Sequence, residues 1–93
     1  MEITLTPEII QTMLECAIKC RKQVKIQYLD KKNARTERTV EPTEILPARD
    51  NIEVGVLTFD HYKQNWRHFK LFQIWRITIT DYDFQYLDKK EWN

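Results

Sequence analysis

Serine is absent from this sequence of 93 residues, and glycine occurs only once, at Gly55. Without serine there is no serine nucleophile for acyl transfer, and a single glycine cannot form a glycine-rich loop that cradles phosphates. The sequence also has no paired-carboxylate motif of recognised spacing. We therefore expect a protein that is not an enzyme.

Cysteine is scarce as well, with only Cys16 and Cys20, four residues apart on a predicted helix. Helical geometry points two such side chains alongside each other, which disfavours a disulfide bond. A metal site would need two further ligands, and only His61 and His68 are obvious donors. We expect buried or half-buried free thiols, with no metal and no cofactor.

Long apolar runs are missing, so no segment approaches the roughly 20 apolar residues that cross a membrane as a helix. The first residues, MEITLTPE, carry acidic side chains where a signal peptide carries basic ones. The composition, 42% hydrophobic and 31% charged, is typical of a soluble globular chain. We expect one domain over residues 1–93, located in the cytoplasm and not associated with a membrane.

The net charge of +1 is unevenly distributed along the chain. Residues 19–38 sum to +6 and residues 66–80 to +3, whereas residues 1–18 and 39–65 each sum to −3 and residues 81–93 to −2. If folding brings the two basic segments together, the protein has a positive face despite its nearly neutral total.

The first predicted element is a helix over residues 7–21. Thr6 is the predicted N-cap and Pro7 suits the first helical position. The apolar residues of this segment recur at helical spacing and form one stripe: Ile9, Ile10, Met13, Leu14, Ala17 and Ile18.

After the helix the apolar period changes to two, which predicts strands. Val24, Ile26 and Tyr28 share one face, and Lys25 and Gln27 share the other. Further strands are predicted over residues 35–42, 43–51, 52–60 and 66–80, the last as one bent strand or two short ones, and a short strand through Phe84 and Tyr86.

Two residues punctuate these strands. Pro42 is predicted to end a strand, because a proline is not expected in the middle of a sheet. Gly55 lies within a predicted strand and indicates a bulge, a sharp bend or the close approach of another backbone. The pattern as a whole predicts a mainly β fold with one N-terminal α-helix. We expect a small antiparallel barrel of five to six strands over residues 23–86, closed because open edges aggregate, and a frayed tail over residues 87–93.

Several short motifs, in this order, resemble the WYL domain, a small Sm/SH3-like β-barrel of bacteria and phages. The matches to the family patterns A-i-…-v-x-I-x-Y, R-x-V-x-P and R-x-F-x-L-D-R-I are, in turn, Ala17, Ile18, Val24, Ile26 and Tyr28; Arg38, Val40 and Pro42; and Arg67, Phe69, Leu71 and Ile74. The resemblance covers roughly residues 16–84.

The chain departs from the family at two motifs. The name-giving Trp-Tyr-Leu triplet falls on Val54, Gly55 and Val56, and Phe72 and Gln73 replace an Asp-Arg pair. The resemblance implies a nucleic-acid-binding or ligand-sensing module of the kind found in transcriptional regulators and in CRISPR or phage-defence accessory proteins. Such regulators usually carry a winged helix–turn–helix before the domain, so this chain is either a freestanding module or a fragment of a longer protein.

Arg67 is the principal binding candidate. It alternates with Phe69 and Leu71, which places it on their face of a strand. A guanidinium group at a barrel rim can hold a phosphate or carboxylate through two hydrogen bonds. The alternative is a structural salt bridge to Glu41 or Glu44.

Further candidates lie on the opposite face of this segment and in the first basic segment. Trp66, His68 and Lys70 could stack bases and attract phosphates, or they could form a solvated face. Lys25 and Arg38 could contact phosphates, or they could be solvated charges.

Our leading hypothesis is a non-enzymatic module that binds single-stranded nucleic acid or a small nucleotide-like anion. The predicted binding residues are Arg67, Arg38, Tyr28, His68, Lys70 and Lys25. The alternative is a protein–protein interaction or oligomerisation module, with Trp66, Trp75 and Trp92 as anchors. A homodimer is compatible with both hypotheses.

Overall fold

The computed structural model describes residues 5–60 and 63–85. The elements are α1 (Pro7–Cys20), β1 (Lys22–Leu29), β2 (Arg35–Leu46), β3 (Gly55–Asp60), β4 (Asn65–Lys70), a 3-10 turn (Leu71–Gln73) and β5 (Ile74–Asp83). The predicted frayed tail and the Tyr86 part of the last predicted strand lie outside the described residues.

Helix α1 begins and ends at residues that satisfy its terminal backbone groups. The Ile9 N–H donates to Thr6 Oγ1 at 3.2 Å, and Pro7 occupies the first turn, as predicted. Arg21 ends the helix in the left-handed region, with φ 55°, and its N–H donates to the carbonyls of Ala17 and Ile18. Within the described residues, no helix has the length and apolar character needed to cross a membrane.

The strands form one antiparallel sheet in the order β4-β3-β2-β1-β5. The predicted mainly β fold with one N-terminal helix is therefore confirmed. The predicted closure of the barrel is wrong, because β4 and β5 are the two edges of an open sheet in the part of the chain described. The 3-10 turn between them redirects the chain, so that β5 pairs with β1 instead of with β4.

Strand β2 is one strand of 12 residues where the sequence predicted two. Pro42 lies inside it, opposite Thr58, and the register with β3 shifts between Pro42 and Glu44. Strand β1 pairs with β2 only as far as Val40, so among the described residues Pro42 has a sheet neighbour on one side only. A proline is tolerated there because no second strand requires its missing N–H.

A further short strand was predicted through Phe84 and Tyr86, and its described part, Phe84, is not in a strand. Phe84 follows β5 and is buried, and its N–H donates to the carbonyl of Arg21 at 3.0 Å. This contact ties the end of β5 to the end of α1.

The hydrophobic core lies between α1 and one face of the sheet. Its members are buried side chains of the helix, the strands and the 3-10 turn: Ile10, Leu14, Ala17, Val24, Ile26, Tyr28, Val40, Val56, Phe69, Leu71, Ile74 and Ile77. Cys16 and Cys20 are free and exposed, so the predicted burial of the thiols is wrong. They lie off the stripe of buried helix residues, Ile10, Leu14 and Ala17.

Candidate functional site

Strand register brings four polar or aromatic side chains to one face of the sheet. Tyr28 is on β1, Arg38 on β2, Asp60 at the end of β3 and Arg67 on β4. Tyr28 pairs with Thr36, two residues before Arg38, and Asp60 pairs with Val40, two residues after it. Because side chains two residues apart share a face, all of these point to the same side.

Asp60 is the centre of the group, with a side chain that is 0% exposed. Its Oδ2 lies 3.7 Å from Arg38 Nε and 3.6 Å from Arg67 Nη1. Its Oδ1 accepts a hydrogen bond from the Lys63 N–H at 3.3 Å. Since both arginine nitrogens approach the same oxygen, they are at most 7.3 Å apart, the sum of 3.7 and 3.6 Å. Two cations and one anion leave a local charge of +1.

Aromatic rings hold Arg67 in place on its other side. Its Nη2 donates to the Tyr28 hydroxyl at 3.3 Å, and its guanidinium carbon lies 5.3 Å from the Phe69 ring centroid. The Tyr28 and Phe69 rings meet edge to face, with centroids 4.7 Å apart. A guanidinium fixed by a carboxylate, a hydroxyl and a ring loses little freedom when it binds an anion.

The alternative partners predicted for Arg67 are wrong, since the structure pairs it with Asp60. Glu41 is fully buried and accepts a hydrogen bond from the Gln85 N–H at 2.8 Å. Glu44 is exposed on β2.

Arg67 lines a pocket of about 390 Å³ between β4 and the hairpin that joins β1 to β2. Tyr28 and Phe69 contribute apolar surface to it, and Asp30, Lys31 and Lys32 of the hairpin line it together with Arg67. The volume is within the range of small-molecule sites. The three cations Lys31, Lys32 and Arg67 and the one anion Asp30 give the lining a charge of +2, which favours an anionic ligand.

The hairpin that carries the two lysines is held by Asp30. Asp30 Oδ1 accepts hydrogen bonds from the Ala34 N–H at 2.9 Å and the Lys32 N–H at 2.8 Å. These two bonds, that of Ala34 most of all, hold the pKa of Asp30 below its ordinary value. The carboxylate is therefore ionised at neutral pH and is directed at the hairpin backbone.

The remaining predicted site residues lie in three different places. His68 is exposed and lines the pocket. Lys70 is exposed on β4, with Nζ 5.9 Å from the Phe72 ring centroid, and it is not among the residues that line the pocket. Lys25 is on the opposite face of β1, with Nζ 4.0 Å from Glu37 Oε1.

His68 also explains the single glycine. A Cβ atom on Gly55 would overlap the His68 imidazole and would lie 2.9 Å from the Phe69 carbonyl oxygen. Gly55 is therefore required by the close approach of β4, one of the three causes that the sequence indicated.

Sequence reasoning did not assign Asp60 to the site. The feature that could have pointed to Asp60 is an acidic residue at the end of an apolar strand. That feature does not identify the residues with which Asp60 pairs. Lys31 and Lys32 belong to the basic segment 19–38, but the sequence does not show that they line one pocket with Arg67.

The fold and the pocket define a small β domain with a positively charged pocket. Arg67 lines this pocket and shares the Asp60 carboxylate with Arg38, which is not among the lining residues. The family model for the WYL domain matches residues 10–79, and this chain belongs to the WYL domain family. The matched range contains Tyr28, Arg38, Asp60 and Arg67.

One solved structure with a similar fold is the proteasome accessory factor B/C (PafBC) of Arthrobacter aurescens. The TM-score is 0.69 at 20% sequence identity, over 88% of this chain and 13% of that chain. The present chain thus spans a small part of the length of that protein. The search of curated protein sequences found no match.

Proposed function

We propose that this chain is a non-enzymatic regulatory domain of the cytoplasm that binds single-stranded nucleic acid or a nucleotide-like anion in the pocket beside Arg67. The observation that carries the proposal is the sharing of one buried carboxylate by Arg38 and Arg67. That arrangement holds two guanidinium groups side by side and leaves one positive charge in excess. Membership of the WYL family, whose domains occur in regulators, supports the regulatory role.

The exposed fractions of the side chains decide how the ligand is held. Arg38 and Arg67 side chains are 24% and 32% exposed, so each has atoms that a ligand can reach. Tyr28 and Phe69 are only 4% and 2% exposed, so they position Arg67 and leave little ring surface for a base. The groups that would stack on a base of the ligand are therefore the His68 imidazole and the planar Arg67 guanidinium.

The test is a titration of a dye-labelled single-stranded oligonucleotide, followed by fluorescence anisotropy at about 50 mM and about 200 mM salt. The parent is compared with Arg67→Ala, Arg67→Lys and Arg38→Ala, and Arg49→Ala is the control because Arg49 is exposed in the β2–β3 connection. We expect affinity to fall with salt and to fall further in the Arg67 and Arg38 variants. Each lost phosphate contact should reduce the slope of log K against log salt by about 0.7.

Arg67→Lys separates charge from geometry, because lysine keeps the charge but cannot offer two parallel N–H groups. We expect it to restore only part of the affinity. Absence of salt-dependent binding by the parent at about 10⁻⁴ M protein, the weak limit for non-specific contacts, contradicts the proposal.

A protein-interaction module is the second candidate, and the open sheet favours it. Edge strands β4 and β5 can pair with another chain, and Trp66, Phe72 and Trp75 are 39%, 56% and 39% exposed. The third predicted anchor, Trp92, lies outside the described residues. Sedimentation over a range of concentrations, with Trp66→Ala beside the parent, tests for a homodimer. A monomer at every concentration contradicts the homodimer.

A further inference from the structure

We propose that a single strand held in the pocket continues around the β1–β2 hairpin to a second site, formed by Arg35 and Trp75 on the outer face of the sheet. The outer face is defined here by exposed or half-buried residues of β2, β1 and β5: Arg35, Glu37, Thr39, Lys25, Gln27, Trp75, Arg76 and Thr78. The inference rests on the proposed function and gives a role to basic residues that the pocket does not use.

The charge of the outer face suits a polyanion. Lys25, Arg35 and Arg76 are exposed cations, and Glu37 is the single acid, so the face has a charge of +2. Glu37 is itself held within the face, because Gln27 Nε2 donates to its Oε2 at 2.8 Å and Lys25 Nζ lies 4.0 Å from its Oε1. The surplus of positive charge therefore comes from the two arginines.

Trp75 is placed on this face by an irregularity in the sheet. Gln27 pairs with Arg76 and Tyr28 with Ile74, so Trp75 is an extra residue in β5 with no partner position on β1. A bulge of this kind redirects a side chain. The Trp75 side chain consequently meets Arg35 of β2, which is two strands away in the sheet order.

Arg35 and Trp75 form a cation–π pair that offers two planar groups to a base. The Arg35 guanidinium carbon lies 4.7 Å from the Trp75 ring centroid, and Trp75 remains 39% exposed. A cavity of about 210 Å³ opens beside them, with Gln27, Thr36 and Glu37 as its other walls. Indole and guanidinium planes both accept stacked bases, and the polar walls offer hydrogen-bonding groups.

The two sites lie on opposite sides of one hairpin. Tyr28 of the pocket pairs with Thr36, and the neighbouring pair, Leu29 with Arg35, begins the outer-face site. Lys31 and Lys32 at the tip lie between them, exposed to solvent. A strand that passes around the tip would place successive phosphates near these lysines. This continuity favours nucleic acid over an acidic protein segment as the occupant.

The experiment uses two ligands and the full chain. A dinucleotide reaches only the pocket, whereas an oligonucleotide of about 12 nucleotides is within the ~4–16 nucleotide range of small single-strand-binding folds. Trp75→Leu, Trp75→Phe and Arg35→Gln are compared with the parent, and Arg49→Gln is the matched control on an exposed arginine outside the face. Fluorescence anisotropy measures binding of the long ligand, and chemical-shift changes of the hairpin amides in NMR spectra measure binding of the dinucleotide.

We expect Trp75→Leu to weaken binding of the long ligand about 5- to 150-fold, the range that corresponds to one lost base stack of ~1–3 kcal/mol. Trp75→Phe should retain most of the affinity, because a smaller ring still stacks. Arg35→Gln should lower the salt slope by about 0.7 through one lost phosphate contact. Dinucleotide affinity should be unchanged in all three variants, which also shows that they are folded.

The outcomes separate this inference from the proposed function. If both ligands bind the parent and the Trp75 and Arg35 variants bind the long one equally well, the second site is wrong while the pocket stands. If neither ligand binds, the proposed function fails and the inference fails with it. If the outer-face variants no longer bind the long ligand but Arg67→Ala still does, the strand does not pass through the pocket and the inference is wrong. Loss of dimerisation in Trp75→Leu, with oligonucleotide affinity unchanged, assigns the face to a protein and also overturns the inference.

Discussion

Replacing Asp60 with asparagine removes the anion that holds Arg38 and Arg67 together while it preserves the size of the side chain. In the parent, one buried carboxylate lies 3.7 and 3.6 Å from the two guanidinium nitrogens. In Asp60→Asn the same space contains two cations and no anion. We expect a lower free energy of unfolding and a more positive pocket.

The expected magnitude follows from the geometry. Two unit charges 7.3 Å apart, the largest separation that the contacts allow, repel by about 2 kcal/mol at an effective dielectric constant near 20. Loss of one partner from a fully buried pair costs about 3–5 kcal/mol. The two arginines are 24% and 32% exposed, so water screens part of both effects. We therefore expect a loss of about 2–3 kcal/mol.

Urea denaturation followed by tryptophan fluorescence measures this loss. Asp50→Asn is the matched control, because Asp50 is exposed and has φ 54°, a backbone conformation that asparagine adopts readily. Sulfate provides a second measurement. An anion bound between the arginines would replace the missing charge, so sulfate should stabilise Asp60→Asn more than it stabilises the parent.

If the free energy of unfolding of Asp60→Asn is within about 0.5 kcal/mol of that of the parent, the range of ordinary surface substitutions, Asp60 does not hold the two arginines together as described. An equal loss in the free energy of unfolding of Asp50→Asn would also contradict this role of Asp60. A sulfate effect that is the same in both proteins would show that the two arginines do not form an anion site together.

Three further predictions concern the fold around the pocket. Gly55→Ala should lower the free energy of unfolding by about 1–3 kcal/mol through overpacking. Adding His68→Ala should recover part of this loss, as a double-mutant cycle would measure. Absence of coupling between the two substitutions would contradict the contact between residue 55 and His68. An NMR titration of Asp30 should give a pKa below 3.8. Because the folded pKa is lowered, the carboxylate stabilises the hairpin above the unfolded pKa, and this contribution is lost as the pH falls through the folded pKa. A measured pKa at or above 3.8 would rule out this stabilisation. Leu14→Ala, at a fully buried helix position, should cost about 2–5 kcal/mol in urea denaturation. Ile9→Ala, on the same helix but 39% exposed, should cost much less, and equal losses would contradict the assigned packing.

The local patterns predicted the faces of the strands well. Alternation placed Val24, Ile26 and Tyr28 on the buried face of β1, and all three are buried there. The same rule placed Arg67 beside Phe69 on β4. Alternation is reliable because it depends only on the pleat of one strand.

The sequence rules gave wrong predictions where the energetic cost of placing a residue depends on a neighbouring strand. Pro42 was expected to end its strand, but β1 no longer pairs with β2 at that point, so the missing N–H has no consequence. Barrel closure was expected because open edges aggregate, yet closure depends on which strands pair, and β5 pairs with β1. The burial of Cys16 failed for a related reason, because the sequence does not show how far around the helix the sheet reaches.

The helix with its Thr6 cap, the period-two strands and the membership of a family follow from the amino-acid sequence alone. These features depend on residues a few positions apart, whose geometry the backbone sets directly. The tertiary structure was needed to show that Asp60 holds Arg38 and Arg67 together, and that Trp75 of β5 meets Arg35 of β2. Asp60 and Arg38 are on different strands, and their contact exists because strand register, set by the packing of the whole sheet, aligns them.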